Sequence, residues 1–294
     1  MAGKHFYFPF YTKEFISGTL HMSAEEIGAY VLLMCFQYEN GSVPVEDRET
    51  IERIARTKNL KKVVVPAYDK AGFIGNGHFM RDILHASAEV DRLSKEMSFV
   101  EAVSSLNKVS QDYLVRPMGI FQLIDYVGVD VCSFIMSVMN PYLPGENLHS
   151  PLLDKFLAAG VKGGQFSDGS QKDGILKYEK GRPVAIFDLD QKTYIPLADF
   201  QSAVDSKLGT LPMPPAWKSV VGNKAKEEVL LAYFAALKAA TGLGAELAIK
   251  YALRSREIGI NLVKDGVAFN ENDVNTVLLT GFFHAYGPIN NYLA

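Results

Sequence analysis

Apolar residues recur at helical spacing over most of this chain, with polar residues between them. After residue 77, one face of a helix would carry only apolar or small side chains: Met80, Ile83, Leu84, Ser87, Val90 and Leu93. Side chains three and four residues apart share a helix face. The pattern therefore predicts a helix from about Gly77 to Ser94.

Two more helices are predicted before residue 140. The first runs from about Phe99 to Leu114, and Arg116-Pro117 ends it because proline cannot continue a helix. The second runs from Met118-Gly119 to about Met139. We expect its buried stripe to contain Ile120, Leu123, Ile124, Val127, Val131, Phe134 and Ile135.

Beyond residue 150, helices alternate with turns and a short strand. Ser150 followed by Pro151 is typical of a helix start, and Gly160 is placed to close that helix. A Gly-rich loop at 160–174 precedes a predicted strand at 183–187. Pro212 to Pro215 reads as a linker. Helices are predicted again from Asn223, with apolar faces containing Val229, Leu230, Tyr233, Phe234, Leu237, Leu247, Tyr251, Ile258 and Leu262, and a short one begins near Asn272.

The N-terminal part of the chain, before the helices described above, follows a different pattern. Ser23-Ala24-Glu25-Glu26 is a capping box, in which each side chain bonds an amide at the helix start, and Gly41 is placed to end that helix. A short helix is predicted from about Asp47 to Ala55. The β-branched residues at 60–66 predict a strand, and the sequence suggests no neighbouring strand that could pair with it.

Composition and charge narrow the functional classes. The chain has 294 residues, of which 21% are charged, and this composition is typical of a globular protein. Its net charge of −3 does not indicate a protein that binds nucleic acid through an overall positive charge. Cys35 and Cys132 lack metal or disulfide spacing, so we expect buried thiols in a reducing compartment. The longest apolar run, Ala29 to Phe36, is too short to cross a bilayer. The sequence therefore predicts a soluble, cytoplasmic protein that does not contact membranes.

Several residues could carry chemistry, and for each a structural role competes. Gly72, Gly75 and Gly77 have the spacing G-x-x-G-x-G, which is not the dinucleotide fingerprint, so we interpret them as a tight turn. His78 and His85 share a helix face, with Asp82 and Glu89 expected at other angles, and we favour structural histidines over a metal site. We predict no metal site in this chain.

Asp125 lies near the predicted buried stripe. We expect it to cap a neighbouring helix or to pair with Arg116, rather than to act in catalysis. The Gly-rich loop at 160–174 is interpreted as a surface loop, because no helix start that could hold a phosphate is evident after it.

Two segments together resemble a known family. Gly72-Phe73-Ile74-Gly75-Asn76 is similar to the Gly-Phe-Ile/Val-x-Asn turn of 3-hydroxyacyl-CoA dehydrogenases, and Pro117 to Asp125 is similar to their Pro-x-Gly-x-Phe-x-Leu-x-Asp segment. Lys172 to Tyr178 loosely resembles their Lys-x-Gly-x-Gly-Phe-Tyr run. The resemblance extends from about residue 49 to the C-terminus, at 294. It implies oxidation of a 3-hydroxyacyl-CoA by hydride transfer to NAD, with Asn76 positioning the thioester carbonyl.

The resemblance covers the helical second half of that family. We therefore expect a mainly α fold of the 6-phosphogluconate-dehydrogenase C-terminal type, duplicated, with isolated short strands and no complete Rossmann domain. The family's NAD-binding domain, with its catalytic His and Glu, has no counterpart in this reading. His5-Phe6-Tyr7-Phe8-Pro9 only superficially matches the catalytic His-Phe-x-Asn-Pro turn, and Glu14 has the wrong context, so His5 is expected at the surface. NAD binding and turnover by this chain alone are not expected.

The N-terminal segment, about residues 6–56, resembles another family, the YdaU-like phage-associated domain of unknown function. The matching residues are Phe8 to Tyr11, Ser23 to Tyr30 and Gly41 to Pro44. Such domains occur in replication-associated proteins, so nucleic acid could be bound only through residues 1–56. Arg48, Arg53 and Arg56 are more typical of an ordinary solvated face.

A weak internal repeat completes the domain prediction. Each half has a long helix with a Glu near its middle (Glu89, Glu257), a short helix and a Pro/Gly turn. We predict a small helical segment at 1–56, a strand and linker at 57–70, and two dehydrogenase-like helical domains at 71–190 and 191–294. Each would expose an apolar face, which favours a homodimer or a partner chain.

Three functions stay open at this point: the acyl-CoA half of a dehydrogenase, a non-catalytic dimerisation or acyl-CoA-binding module, and a phage-type replication accessory protein.

Overall fold

The protein is described by a computed structural model that covers residues 67–293, together with Val31 and Val65. Residues 67–294 form one compact unit. The predictions for His5, Cys35, the capping box at 23–26, the helix at 47–55 and the strand at 60–66 lie outside the described residues.

Two long helices form the centre of this unit. Helix α1 spans Phe73–Leu93 and packs against α9, which spans Leu243–Lys264. Every member of the predicted α1 face is buried except the half-buried Leu84, so the face is confirmed. The helix begins four residues earlier than predicted, directly after Gly72, whose φ of 82° turns the chain into it.

The next segment reverses the chain twice. Helix α2 spans Phe99–Lys108, a π-helical turn follows at Val109–Tyr113, and the chain then leads to α3 at Ile120–Val127 and α4 at Val129–Met139. A short 3-10 turn, Asn140–Tyr142, extends α4. The single long helix predicted up to Met139 is wrong, because Gly128, at φ 109°, breaks it with a bend of 86°. The bend carries Val131 and Phe134 to the surface, so their predicted burial is also wrong.

A short helix and a small sheet follow. Helix α5 spans Pro151–Ala158 with Ser150 as its N-cap, as predicted, and Gly160 follows with φ 80°. Strands β1 (Leu176–Glu179), β2 (Arg182–Asp188) and β3 (Thr193–Pro196) form an antiparallel sheet in that order. The predicted strand at 183–187 is confirmed as part of β2.

The remaining helices complete the unit. They are α6 (Leu197–Leu208), α7 (Trp217–Val220), α8 (Lys226–Ala239), α9 and α10 (Glu271–Gly281). The sequence analysis predicted helices from residue 223 onwards but did not identify α6. Pro212 to Pro215 lies outside any helix or strand, consistent with a linker.

A single hydrophobic cluster contains residues from α1 to α5, the sheet, α6, α8 and α9. The mainly helical fold is therefore confirmed, and residues 67–293 contain no parallel nucleotide-binding sheet. The domain boundary at 190/191 rests on the internal repeat and stays a prediction. Among the described helices none alone is long and apolar enough to cross a membrane, although the bent pair α3 and α4, extended to Tyr142, meets the length and composition criteria together.

Candidate functional site

Asn76 lies in the first turn of α1, and its side chain is exposed. Asn76 does not cap this helix, because the helix begins at Phe73 and Gly72 occupies the cap position. Its carboxamide has no hydrogen-bond partner among the described residues. The side chain is therefore available to a ligand, although its predicted role in positioning a thioester carbonyl stays a prediction.

Directly beneath this end of α1, a buried arginine joins three parts of the chain. Arg116 Nη1 donates to Asp82 Oδ2 at 3.0 Å, and Nη2 donates to Ser255 Oγ at 3.0 Å. The guanidinium also lies over the Tyr251 ring, 5.0 Å from its centroid. Since Asp82 is on α1 and Ser255 on α9, Arg116 fixes the two long helices relative to each other.

His78 completes this buried cluster, in an arrangement that superficially resembles a Ser-His-Asp relay. His78 Nε2 lies 3.1 Å from both the carbonyl oxygen and Oγ of Ser255, and Nδ1 lies 3.8 Å from Asp82 Oδ2. Burial lowers the pKa of His78, although nearby Asp82 acts to raise it. A nucleophile role does not fit, because Ser255 is 2% exposed and Arg116 already donates to its hydroxyl.

The two histidines of α1 do not share a ligand site. His85 contacts the Tyr251 ring edge-on, with centroids 5.0 Å apart, while His78 faces Ser255. Asp82 is not at a different angle, as expected from the sequence, but shares the face of His78 one turn away. Within the described residues no group of three His, Cys, Asp or Glu side chains could hold a metal ion.

Asp125 is fully buried and does not pair with Arg116, so that alternative is wrong. Its carboxylate accepts hydrogen bonds from the backbone N–H groups of Ile175 and Leu176, at 2.7 and 2.8 Å, and from Tyr178 OH at 3.0 Å. Burial raises the pKa of Asp125 to about 7, and these three donors oppose that rise. The other alternative, that Asp125 caps a neighbouring helix, is also wrong, because its partners lie at the start of β1 and not at a helix. Asp125 instead ties α3 to β1.

Gly174 packs directly against this carboxylate. A Cβ added at Gly174 would overlap Asp125 Oδ1, so the carboxylate would have to move. Lys172 to Tyr178, the run with a loose family resemblance, is therefore the segment that wraps around Asp125.

The glycines at the start of α1 serve packing. A Cβ on Gly77 would lie 2.9 Å from Leu262 Cδ2 of α9, closer than real side chains approach.

Among residues 67–293 all three strands are antiparallel and joined by short turns, whereas a dinucleotide site needs parallel strands with a helix start between them. The described residues therefore contain no dinucleotide-binding fold of this parallel type.

Sequence reasoning missed the cluster around Arg116. The sequence analysis placed Arg116 at a helix break and named it as a possible partner of Asp125, and it did not consider Ser255. The one available signal was the i, i+4 spacing of His78 and Asp82 on α1. Their partners lie 34 and 177 residues away along the chain.

Comparison with known proteins now places this unit. Residues 72–189 match the model for the C-terminal domain of 3-hydroxyacyl-CoA dehydrogenase, and residues 6–73 match a family of proteins of unknown function, DUF1376. Residues 72–189 are therefore similar to the C-terminal domain of 3-hydroxyacyl-CoA dehydrogenases. Both parts of the layout expected from the sequence are thereby confirmed.

Individual relatives of the dehydrogenase family support the match. The chain is 32% identical over 117 residues to a Caenorhabditis elegans protein named as a 3-hydroxyacyl-CoA dehydrogenase, covering 39% of this chain and 36% of that protein. It is 30% identical over 132 residues to human mitochondrial hydroxyacyl-coenzyme A dehydrogenase, covering 44% of this chain and 40% of that one. An uncharacterized Rickettsia conorii protein is 31% identical over 117 residues, 68% of its own length.

A solved structure of Escherichia coli 3-hydroxybutyryl-CoA dehydrogenase aligns with a TM-score of 0.49 at 15% identity, over 82% of this chain and 57% of that one. The chain thus spans only 36–40% of the two named 3-hydroxyacyl-CoA dehydrogenases above.

Proposed function

We propose that residues 67–293 are the acyl-CoA-binding half of a 3-hydroxyacyl-CoA dehydrogenase. The observation that carries this proposal is the family match of residues 72–189, which includes the Asn76 turn. The exposed position of Asn76 at the start of α1 supports it, because a carboxamide there can donate a hydrogen bond to a thioester carbonyl oxygen.

The same proposal holds that these 294 residues do not transfer hydride by themselves. Two observations support this part of the proposal: the sheet described in residues 67–293 is antiparallel throughout, and residues 6–73 match a family of unknown function. Turnover then requires an NAD-binding domain outside this sequence.

Binding can be followed through the only tryptophan of the chain, Trp217. Its indole N–H donates to the Phe283 carbonyl at 2.7 Å, and it lines a cleft of about 360 Å³ together with Arg116 and Pro117. We expect the full chain to bind acetoacetyl-CoA more tightly than coenzyme A alone. NADH oxidation by the same sample should stay at background when acetoacetyl-CoA is added.

Asn76→Ala is the critical variant. It should weaken acetoacetyl-CoA binding roughly tenfold, as expected for one lost hydrogen bond to a polar ligand group, and leave the thermal midpoint unchanged. Asn272→Ala removes an equally exposed Asn from the first turn of α10 and should change neither. Equal affinity for acetoacetyl-CoA and coenzyme A, or an Asn76→Ala variant with unchanged affinity, would contradict the proposed role.

A further inference from the structure

A cleft of about 360 Å³ opens between the turn that precedes α3 and the segment that leads into α7. It is lined by residues 111–112, 115–117 and 214–218, and we call it the Trp217 cleft. Ligand pockets usually enclose about 300–1,000 Å³. The Trp217 cleft lies at the small end of that range, so its size suits a mononucleotide better than a dinucleotide.

The backbone around this cleft is irregular in two places. Gln111 and Asp112 belong to the π-helical turn Val109–Tyr113, which interrupts regular helix geometry. Val115 has a φ of 51°, a value that β-branched residues rarely adopt. Single π-helical turns and strained residues concentrate at functional sites. Both irregularities meet at the wall of one cleft, which marks it as a candidate binding site.

The charged groups of the cleft favour an anion. Arg116 is only 8% exposed, and its hydrogen bonds to Asp82 and Ser255 use two of its five N–H groups. The guanidinium can therefore also donate to an oxygen atom in the cleft. Lys218 is exposed and has no hydrogen-bond or ion-pair partner among the described residues. Asp112 is the one acid of the described lining, and Lys108 Nζ already lies 3.5 Å from its Oδ2.

The remaining walls of the cleft are flat and apolar. They consist mainly of three prolines and the indole ring of Trp217. The ring is held in place because its N–H donates to the Phe283 carbonyl at 2.7 Å. Nucleobases stack on aromatic side chains, and arginine and lysine bind phosphate oxygens. A purine nucleotide therefore offers both a flat ring for the apolar walls and a phosphate for the cations.

A larger cleft of the same unit lacks this combination. It encloses about 940 Å³ among α1, α2, α5 and the turn between β2 and β3. Asp91, Asp188 and Asp190 line it against two lysines, Lys155 and Lys192. A phosphate would meet more negative than positive charge there, so the larger cleft does not suit an anion.

We propose that the Trp217 cleft binds a purine nucleotide, with its phosphate at Arg116 and Lys218 and its base against the Trp217 ring. The nucleotide has two possible sources. One is the nucleotide end of the acyl-CoA, and this source rests on the proposed function. The other is a free purine mononucleotide, which does not depend on acyl-CoA binding.

Isothermal titration calorimetry of the full chain tests the proposal. Adenosine 3′,5′-bisphosphate, which is the nucleotide end of coenzyme A, and AMP are the two probes. At least one of them should bind saturably and change the Trp217 fluorescence. Adenosine, which lacks the phosphate, should bind at least roughly tenfold more weakly. Tighter binding of the bisphosphate than of AMP would identify coenzyme A as the source, and equal binding would identify a free mononucleotide.

Lys218→Ala is the critical variant, because the exposed side chain can be removed without disturbing the core. It should raise the dissociation constant of the bound probe roughly tenfold, as expected for one lost contact to a charged group. Lys218→Arg keeps the charge and should restore most of the affinity. Lys224→Ala removes another exposed lysine nearby in the chain and should leave the constant unchanged.

Trp217→Leu, followed by calorimetry, should also raise the constant roughly tenfold through loss of base stacking. Saturation by neither probe, equal binding of AMP and adenosine, or an unchanged constant in Lys218→Ala would overturn the proposal. Asn76→Ala should leave binding of both probes unchanged, since neither contains a thioester. Loss of acetoacetyl-CoA binding with intact nucleotide binding would therefore count against the proposed function alone.

Discussion

Asp82 and Asp125 are both buried, yet the fold compensates their charges in different ways. Asp82, at the α1–α9 interface, faces the full positive charge of Arg116. Asp125, between α3 and β1, faces only dipoles, namely two backbone N–H groups and a tyrosine hydroxyl. A formal charge opposite a carboxylate stabilises it more than dipoles do, which is why burial raises the pKa of Asp125 to about 7. The Asp82 region should therefore be sensitive to loss of a charge, and the Asp125 region to pH.

The largest effect is expected from Arg116→Met. It leaves Asp82 buried without its cation, which should lower the free energy of unfolding by about 3–5 kcal/mol, measured by urea denaturation. The double variant Arg116→Met with Asp82→Leu removes both charges and should recover much of the loss. If the double variant is less stable than Arg116→Met alone, the two side chains do not act as a pair.

Asp125→Ala comes next. It leaves the Ile175 and Leu176 N–H groups buried without an acceptor, so the free energy of unfolding should fall by about 3 kcal/mol. Asp91→Ala, at an exposed position on α1, is the control and should stay within about 0.5 kcal/mol of the native chain. If the Asp125→Ala chain is as stable as the Asp91→Ala chain, the hydrogen bonds of Asp125 to Ile175 and Leu176 do not stabilise the fold.

The stability of the Asp125 region should depend on pH. The pKa of Asp125 is about 7 in the folded chain against an ordinary value of 3.8, so between these pH values the folded state binds more protons than the unfolded state. Stability should therefore fall as pH rises through this window, by up to about 1.4 kcal/mol per pH unit from this group. The measurement is the difference in unfolding free energy between the native chain and Asp125→Asn against pH. A flat difference from pH 4 to 7 would contradict the elevated pKa of Asp125.

The smallest effect is expected from Tyr178→Phe, which removes one of the three donors to Asp125. The loss should be about 1 kcal/mol at neutral pH, and the pH window of Asp125 should move upward because its ionised form loses a hydrogen bond. Tyr194→Phe removes another hydroxyl of the same sheet, which donates to the Gly174 carbonyl at 2.7 Å. The Tyr194→Phe control should lower the free energy of unfolding without changing the pH range over which Asp125 titrates. If that pH range moves equally in both variants, the hydroxyl of Tyr178 has no specific effect on Asp125.

Local patterns in the sequence predicted the elements but not their partners. Ser150-Pro151 predicted the start of α5, and the apolar spacing in α1 predicted its buried face, because capping and periodicity depend on neighbouring residues. The family motif at 72–76 predicted where Asn76 stands in the chain. The sequence analysis placed Gly128 inside one continuous helix. A glycine within an apolar helical pattern can either continue the helix or interrupt it, and the local pattern does not decide between the two.

The sequence by itself determined many of the helical elements, the family resemblance of residues 72–189 and the candidate residue Asn76. Only the tertiary structure decided that Arg116 joins Asp82 to Ser255, that Asp125 binds the start of β1, and that Val131 and Phe134 face outward. The physical reason is that helix periodicity states which residues share a face but not what that face meets. Contacts between residues more than a hundred positions apart depend on how the helices pack, which no local pattern encodes.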